Sequence, residues 1–212
     1  MGEAPEITEL AAEHTPEAIR ERLRGGPSHN YLRDFVYGAT DGIVTTFAVV
    51  AGASGASLSG GVVVILGAAN LLADGFSMAV GNFLGSRAER QLRDRARRTE
   101  ERHIDLIPGG EREEIRQIFA RKGFQGKNLD RVVGVITSDK ALWVDTMINE
   151  EMGYAQHASS PWVSALSTFG AFIVFGSLPL LVYVGDALSP GSVSHPFEMS
   201  ASLAALGFFL VG

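Results

Sequence analysis

The chain has 212 residues, a formal net charge of −6, no cysteine and a 46% hydrophobic fraction. Without cysteine there is no disulfide, no thiolate metal site and no cysteine nucleophile, and the redox compartment stays undetermined; the acidic balance argues against a nucleic-acid partner. All 18 Lys and Arg fall within residues 20–33 and 87–140, so 34–86 and everything after Lys140 are free of bases, and segregation on that scale marks a membrane protein rather than a soluble domain.

The N-terminal stretch MGEAPEITELAAEHTPEAIRERLRGG is polar and acidic with no apolar h-region. It does not read as a cleaved secretory signal, so the first hydrophobic segment must itself direct insertion. Within it, residues 15–25 predict a short helix with Thr15 as N-cap, Pro16 at the first helical position and Gly25 as the stop. FVYGATDGIVTTFAVVAGASGA, 35–56, is long enough as a helix to cross a bilayer core. A Gly/Ser-rich turn, SGASLSGG, leads into a second span, VVVILGAANLLADGFSMAVGNFLG, 62–85, completing a hairpin whose tip carries no charge.

A polar, highly charged insert follows. PGG at 108–110 and KGFQGKN at 122–128 divide it into helical patterns over 87–106, 111–121 and 129–156, the last with a break near Thr137-Ser138-Asp139. Ile115, Ile118 and Phe119 recur at helical spacing, and Leu142, Val144 and Ile148 do so more loosely. A third span, WVSALSTFGAFIVFGSLPLLVYVG, covers 162–185 without a charge, and its Pro179 is tolerated inside a membrane. The apolar run from Phe197 to Gly212 is marginal for a crossing.

The expected fold class is therefore all-α: a polytopic transmembrane helix bundle carrying a cytosolic three-helix insert. Its parts are an N-terminal segment at 1–34, a transmembrane hairpin at 35–86, the insert at 87–160 and further spans at 161–212. Because the bases lie only in the N-terminal segment and the insert, the positive-inside rule puts both in the cytosol.

Asp41 and Asp74 lie in the first and second spans. A carboxylate at the centre of a membrane helix costs roughly 2.5–3.5 kcal/mol on insertion scales, and such residues face the bundle interior or a water-filled path. The alternative is that hydroxyls or backbone cap both acids and use them to hold helices together. Met78 sits one helical turn after Asp74 with Ser77 beside it, and a mixed oxygen and thioether lining suits a borderline transition metal better than Mg²⁺ or Ca²⁺. Core packing is the competing reading of Met78. Gly38 with Gly42, and Gly81 with Gly85, form G-x-x-x-G faces that let helices approach closely in lipid. With so few spans, a homodimer with the path at its interface is the simplest enclosure for an ion.

In the insert, Glu100 and His103 are three apart, Glu111 and Glu114 repeat that spacing, and Met147 and Glu151 are four apart. Each pair shares a helix face. Converging carboxylates on rigid helices are what multinuclear metal binding needs, whereas acids at this spacing on an exposed helix are ordinarily just solvated. Glu101, Glu113 and Glu150 are adjacent and leave the register open by one residue. His157 reads as an interfacial residue.

YGATDGIVTTFAVVAGASGA followed by ADGFSMAVGNFLGSRAE resembles the vacuolar iron transporter family, which includes nodulin-like transporters, and the likeness runs over most of the chain. The resemblance implies a homodimer of five-span subunits with a cytosolic metal-binding domain between spans two and three. It also implies proton-coupled export of Fe²⁺ from the cytosol, with no organic cofactor. Carried over residue by residue, it matches the transmembrane path to Asp41 and Met78, and the cytosolic site to Glu100, Glu111, Glu114, Met147 and Glu151. His103 stands where eukaryotic members more often have another glutamate, Ile148 where some relatives have a second methionine, and Asn82 where many plant members have a glutamate. The family's fifth span has no counterpart before Gly212, which points to a shortened chain. A prokaryotic plasma membrane fits the compact N-terminus better than a vacuolar one.

Two competing readings remain. A membrane-anchored di-iron ferroxidase would use the E-x-x-H at Glu100–His103, but ferritin-like sites need two such motifs. A metal sensor without flux would keep the insert alone. Phosphate-binding glycine loops, nucleophile elbows and H-E-x-x-H motifs are all absent, so the chain does not read as an enzyme. Sequence does not rank Fe²⁺ against Mn²⁺, Co²⁺ or Zn²⁺.

Overall fold

The computed structural model describes residues 10–25, 31–154 and 159–212, and its elements there are α-helices. Helix α1, Pro16–Gly25, starts as the sequence leads one to expect: Thr15 Oγ1 accepts a hydrogen bond from Ala18 N at 3.3 Å, and Pro16 takes the first helical position. Helix α2 is Leu32–Gly55 and α3 is Gly60–Leu106. The second span and the first helix of the insert are thus one uninterrupted helix of 47 residues rather than two. No Gly or Pro interrupts Ser86–Leu106, and its many Arg, Glu, Ala and Leu residues are strong helix formers.

Helix α4, Pro108–Arg121, begins earlier than expected, with Pro108 opening it and both glycines in its first turn. The helix expected over 129–156 is two: α5, Gly126–Thr137, and α6, Lys140–Glu150. The break comes from Asp139, whose Oδ1 accepts from Ala141 N at 2.8 Å and Leu142 N at 3.2 Å, an N-cap that starts a new helix. The insert therefore holds the end of α3 and three further helices instead of three in all. His157 lies outside the described residues. Helix α7 spans Pro161–Leu188 with Pro179 in its interior, and α8 spans Pro196–Val211. Of these, α2, α3 and α7 are long and apolar enough to cross a membrane, while α8 has 16 residues.

Contacts divide the chain into two compact units, residues 30–89 with 159–212 and residues 1–29 with 90–158. In the first, α7 packs on α2 and α8 packs on both. Gly38 and Gly42 make the α2–α7 approach possible: an added Cβ would meet Thr168 O at 2.2 Å and Phe172 O at 2.5 Å. This G-x-x-x-G face serves the close helix approach expected of it, and does so within the chain. An added Cβ at Gly81 or Gly85 meets nothing within 4 Å. Val50, Val63, Leu71, Phe172, Leu180 and Tyr183 form the core of this unit. Polar ties lie within it. Asn82 Nδ2 donates to Thr168 Oγ1 at 2.7 Å and to Ser164 O at 3.2 Å, and Ser200 Oγ donates to Pro179 O at 2.7 Å, seating α8 on α7.

The second unit has its own core of Ile104, Ile115, Ile118, Leu129, Val133, Ile136, Trp143, Val144, Met147 and Ile148. The buried stripe of α6 is Trp143, Val144, Met147 and Ile148, so Leu142, 43% exposed, is not part of it. Val144 and Ile148 are buried as their spacing predicts, and Trp143 takes the place expected of Leu142.

Backbone-to-backbone contact leaves no flexible atom to yield. Gly42→Val should lower the thermal midpoint of the detergent-solubilised chain by the equivalent of about 1–3 kcal/mol or more, the scale of overpacking. Gly52→Val, where an added Cβ meets nothing within 4 Å, is the matched control and should change it little. Equal effects of the two would refute the close α2–α7 contact.

Candidate functional site

Six acids of the 90–158 unit are held by bases. Glu101 pairs with Arg97 Nε at 3.3 Å, Glu113 with Arg116 Nε at 3.7 Å, and Glu150 with Lys122. Asp145 pairs with Arg97, Asp130 with Arg116 and Asp105 with Lys140. Glu100, Glu111, Glu114 and Glu151 pair with no Lys or Arg among the described residues, and the negative fields of the other three all act on Glu100. The adjacent glutamates, which the sequence left open, are each held by a base.

Local structure explains the convergence. Glu100 sits on the last turns of α3 and Glu111 in the first turn of α4, the two joined across the Ile107 cap. Glu111 gains from the helix N-terminus there. Glu114 is one turn further along, and Glu151 caps the C-terminus of α6. Glu100 and Glu111 are buried, at 1% and 2% exposure, whereas Glu114 and Glu151 are exposed. Glu100 Oε1 and Glu111 Oε2 are buried with no hydrogen-bond partner. Burial, then a hydrogen bond to Glu111 and repulsion from Glu111, Glu151 and Glu114, push the Glu100 carboxyl up to about 8. Glu114 is also raised, first by desolvation and then by Glu111 and Glu151, with His103 opposing. His103 Nδ1 lies 3.5 Å from Glu111 Oε1.

Met147 is fully buried within the apolar core, so packing already accounts for its position. Among the described residues, no three His, Asp or Glu side chains close on a common point as metal ligands. Coordination at this place therefore requires side-chain rotation, which the exposed and unpaired Glu114 and Glu151 are free to make.

In the 30–89 and 159–212 unit, Asp41 and Asp74 are half-buried and within electrostatic reach of one another. No hydrogen bond or ion pair from the described residues reaches either carboxylate. Thr45 Oγ1 donates instead to the Asp41 backbone carbonyl at 2.9 Å and accepts from Asn70 Nδ2 at 3.3 Å. Among the described residues no hydroxyl or backbone group caps either acid. Met78, one turn beyond Asp74, packs partly against the apolar core of this unit. Sequence reasoning treats Asn82 only as a missing glutamate. It is a tie between α3 and α7, and Ser164 and Thr168, one turn apart on one face of α7, were the signal for its partners.

A helical bundle with three membrane-length helices and a charged insert is that of an integral membrane protein. The profile of the VIT family matches residues 32–212, and the chain belongs to that family, whose members are transporters and not enzymes. The chain is 33% identical over 220 residues to the vacuolar iron transporter of Toxoplasma gondii, covering 98% of this chain and 72% of that one. Against vacuolar iron transporter 1 of Oryza sativa subsp. japonica it is 29% identical over 209 residues, covering 98% and 81%. Against the vacuolar iron transporter of Centaurea cyanus it is 31% identical over 154 residues, covering 72% of this chain and 63% of that one. The ferroxidase alternative falls with the family assignment.

The raised Glu100 fixes a pH dependence. Folded, the carboxyl keeps its proton up to about 8, whereas the ordinary value of the free group is 4.5. The folded state therefore binds the extra proton, and this contribution to stability is full below the unfolded value and lost as pH rises through the folded one. With metal chelated, the thermal midpoint of the full chain should fall between about pH 5 and about pH 9, and Glu100→Gln should flatten that fall. A fall of equal size in Glu100→Gln would assign it to other groups.

Proposed function

We propose that the chain is a homodimeric antiporter that moves Fe²⁺, and allied divalent ions such as Mn²⁺, out of the cytosol in exchange for protons. The observation that carries this reading is the pair of unpartnered carboxylates, Asp41 and Asp74, held within reach of one another in membrane-crossing helices. Ionised carboxylates in hydrocarbon are too costly to keep without use. The names of its relatives specify iron as the cargo.

The mechanism follows from ligand chemistry. Glu100, Glu111, Glu114 and Glu151, with His103 beside Glu111 and Met147 behind them, collect the cation on the cytosolic side. Asp41, Asp74 and the Met78 thioether pass it through the membrane. A carboxylate must lose its proton to bind metal, so metal entry releases protons and protonation on the far, acidic side releases metal. Export into a vacuole and export across a plasma membrane have the same topology, and this chemistry serves both. Two copies of the chain enclose the path, with the open Gly81 and Gly85 face available to the contact.

In proteoliposomes of the full chain, Fe²⁺ uptake should require an imposed pH gradient and vanish in Asp41→Asn. Glu111→Gln should raise the Fe²⁺ concentration for half-maximal uptake more than it lowers maximal flux. Gradient-driven uptake at the wild-type rate in Asp41→Asn would contradict the scheme. Fe²⁺ binding by the full chain with no uptake under any gradient would favour the sensor.

A further inference from the structure

The membrane unit carries a groove of about 340 Å³ between α3 and α7, lined by apolar side chains alone. Phe76, Ala79 and Phe83 of α3 face Trp162, Ala165 and Phe169 of α7 across it. The Phe83 and Trp162 rings meet at 4.7 Å between centroids and close one end. Ala79 and the buried Ala165 keep the groove deep because their side chains are small. Nothing in the transport scheme uses it.

Helical arithmetic says what the closed end leads to. Residues 76, 79, 80 and 83 share one face of α3, and Arg87 falls on that face one turn, about 6 Å, beyond Phe83. Arg87 is exposed and has no acidic partner among the described residues. Trp162, in the first turn of α7, sits where aromatic residues mark the edge of the hydrocarbon. A groove open to lipid has no hydrophobic drive to fill with one apolar occupant over another. Selectivity must come from the charged group at its end.

We propose that this groove is a binding site for an anionic phospholipid, with one acyl chain lying between α3 and α7 and the phosphate held by Arg87 beside the Trp162 indole. A guanidinium suits this role because its fork of donors matches phosphate oxygens. The lipid would clamp the two helices at the end of the span where Asn82 already ties them, by hydrogen bonds to Thr168 and Ser164.

The test is native mass spectrometry of the full chain released from detergent after incubation with palmitoyl-oleoyl phosphatidylglycerol or with the matching phosphatidylcholine. The chain should retain phosphatidylglycerol in preference to phosphatidylcholine. Arg87→Ala should weaken phosphatidylglycerol retention about fivefold, the scale of one base at an anionic surface, while Arg87→Lys restores part of it. Ala79→Phe, which fills the groove from the lipid side, should remove the preference with circular dichroism and monodispersity unchanged. Ala165→Leu gives the same test from α7 should Ala79→Phe not fold. Equal retention of both lipids, or a phosphatidylglycerol preference that survives Arg87→Ala and both groove-filling variants, would overturn the proposal. So would a change in oligomeric mass on filling the groove, which would assign it to a second copy of the chain.

Discussion

Four glutamates that lie within electrostatic reach of one another, with no Lys or Arg partner among the described residues, are the constraint around which the 90–158 unit is arranged. Two unit charges about 4 Å apart repel by about 4 kcal/mol at an effective dielectric of 20, a large share of the 5–15 kcal/mol that holds an ordinary domain together. Glu100 and Glu111 are buried, so water screens them poorly, and each leaves an oxygen with no partner. The proton that Glu100 keeps relieves part of that repulsion. On the proposed function a divalent cation would relieve more, setting proton and metal in competition for the same oxygens. Four bases of the unit, Arg97, Arg116, Lys122 and Lys140, are tied to other acids. The unit keeps its positive charge for its surface and withholds it from the cluster.

The membrane unit follows the same rule with fewer charges. Among the described residues no hydrogen bond reaches the carboxylates of Asp41 and Asp74, while neighbouring polar residues serve as ties: Thr45 to its own helix, Asn70 to Thr45, and Asn82 to Thr168 and Ser164. Glycines at 38 and 42 bring α7 against α2 closely enough that backbone touches backbone.

Much of this was legible in the sequence, for identifiable reasons. The spans and the confinement of bases to two blocks follow from hydropathy and charge, which a bilayer enforces more strictly than water does. Glu100, Glu111, Glu114 and Glu151 could be singled out by spacing, but only their surroundings separate them from Glu101, Glu113 and Glu150, since a salt bridge to Lys122 or Arg116 is a tertiary fact. The continuity of α3 was missed because the change from apolar to charged residues at 86 marks a change of solvent, not of backbone. The break before α6 was visible because Asp139 is a capping residue with local reach. The destination of the Gly38 and Gly42 face was not visible, because a small-residue face does not name its partner.

Proton release on metal binding tests the central claim most directly. Calorimetric titration of the full chain with Mn²⁺ or anaerobic Fe²⁺ at about pH 7, in buffers of different ionisation enthalpy, counts the protons displaced per ion. With the Glu100 carboxyl raised to about 8, close to one proton should leave for each ion bound at the cluster, and Glu100→Gln should abolish that release together with most of the affinity. Binding with no proton displaced, or binding unchanged in Glu100→Gln, would contradict a cluster in which proton and metal contend for the same carboxylates.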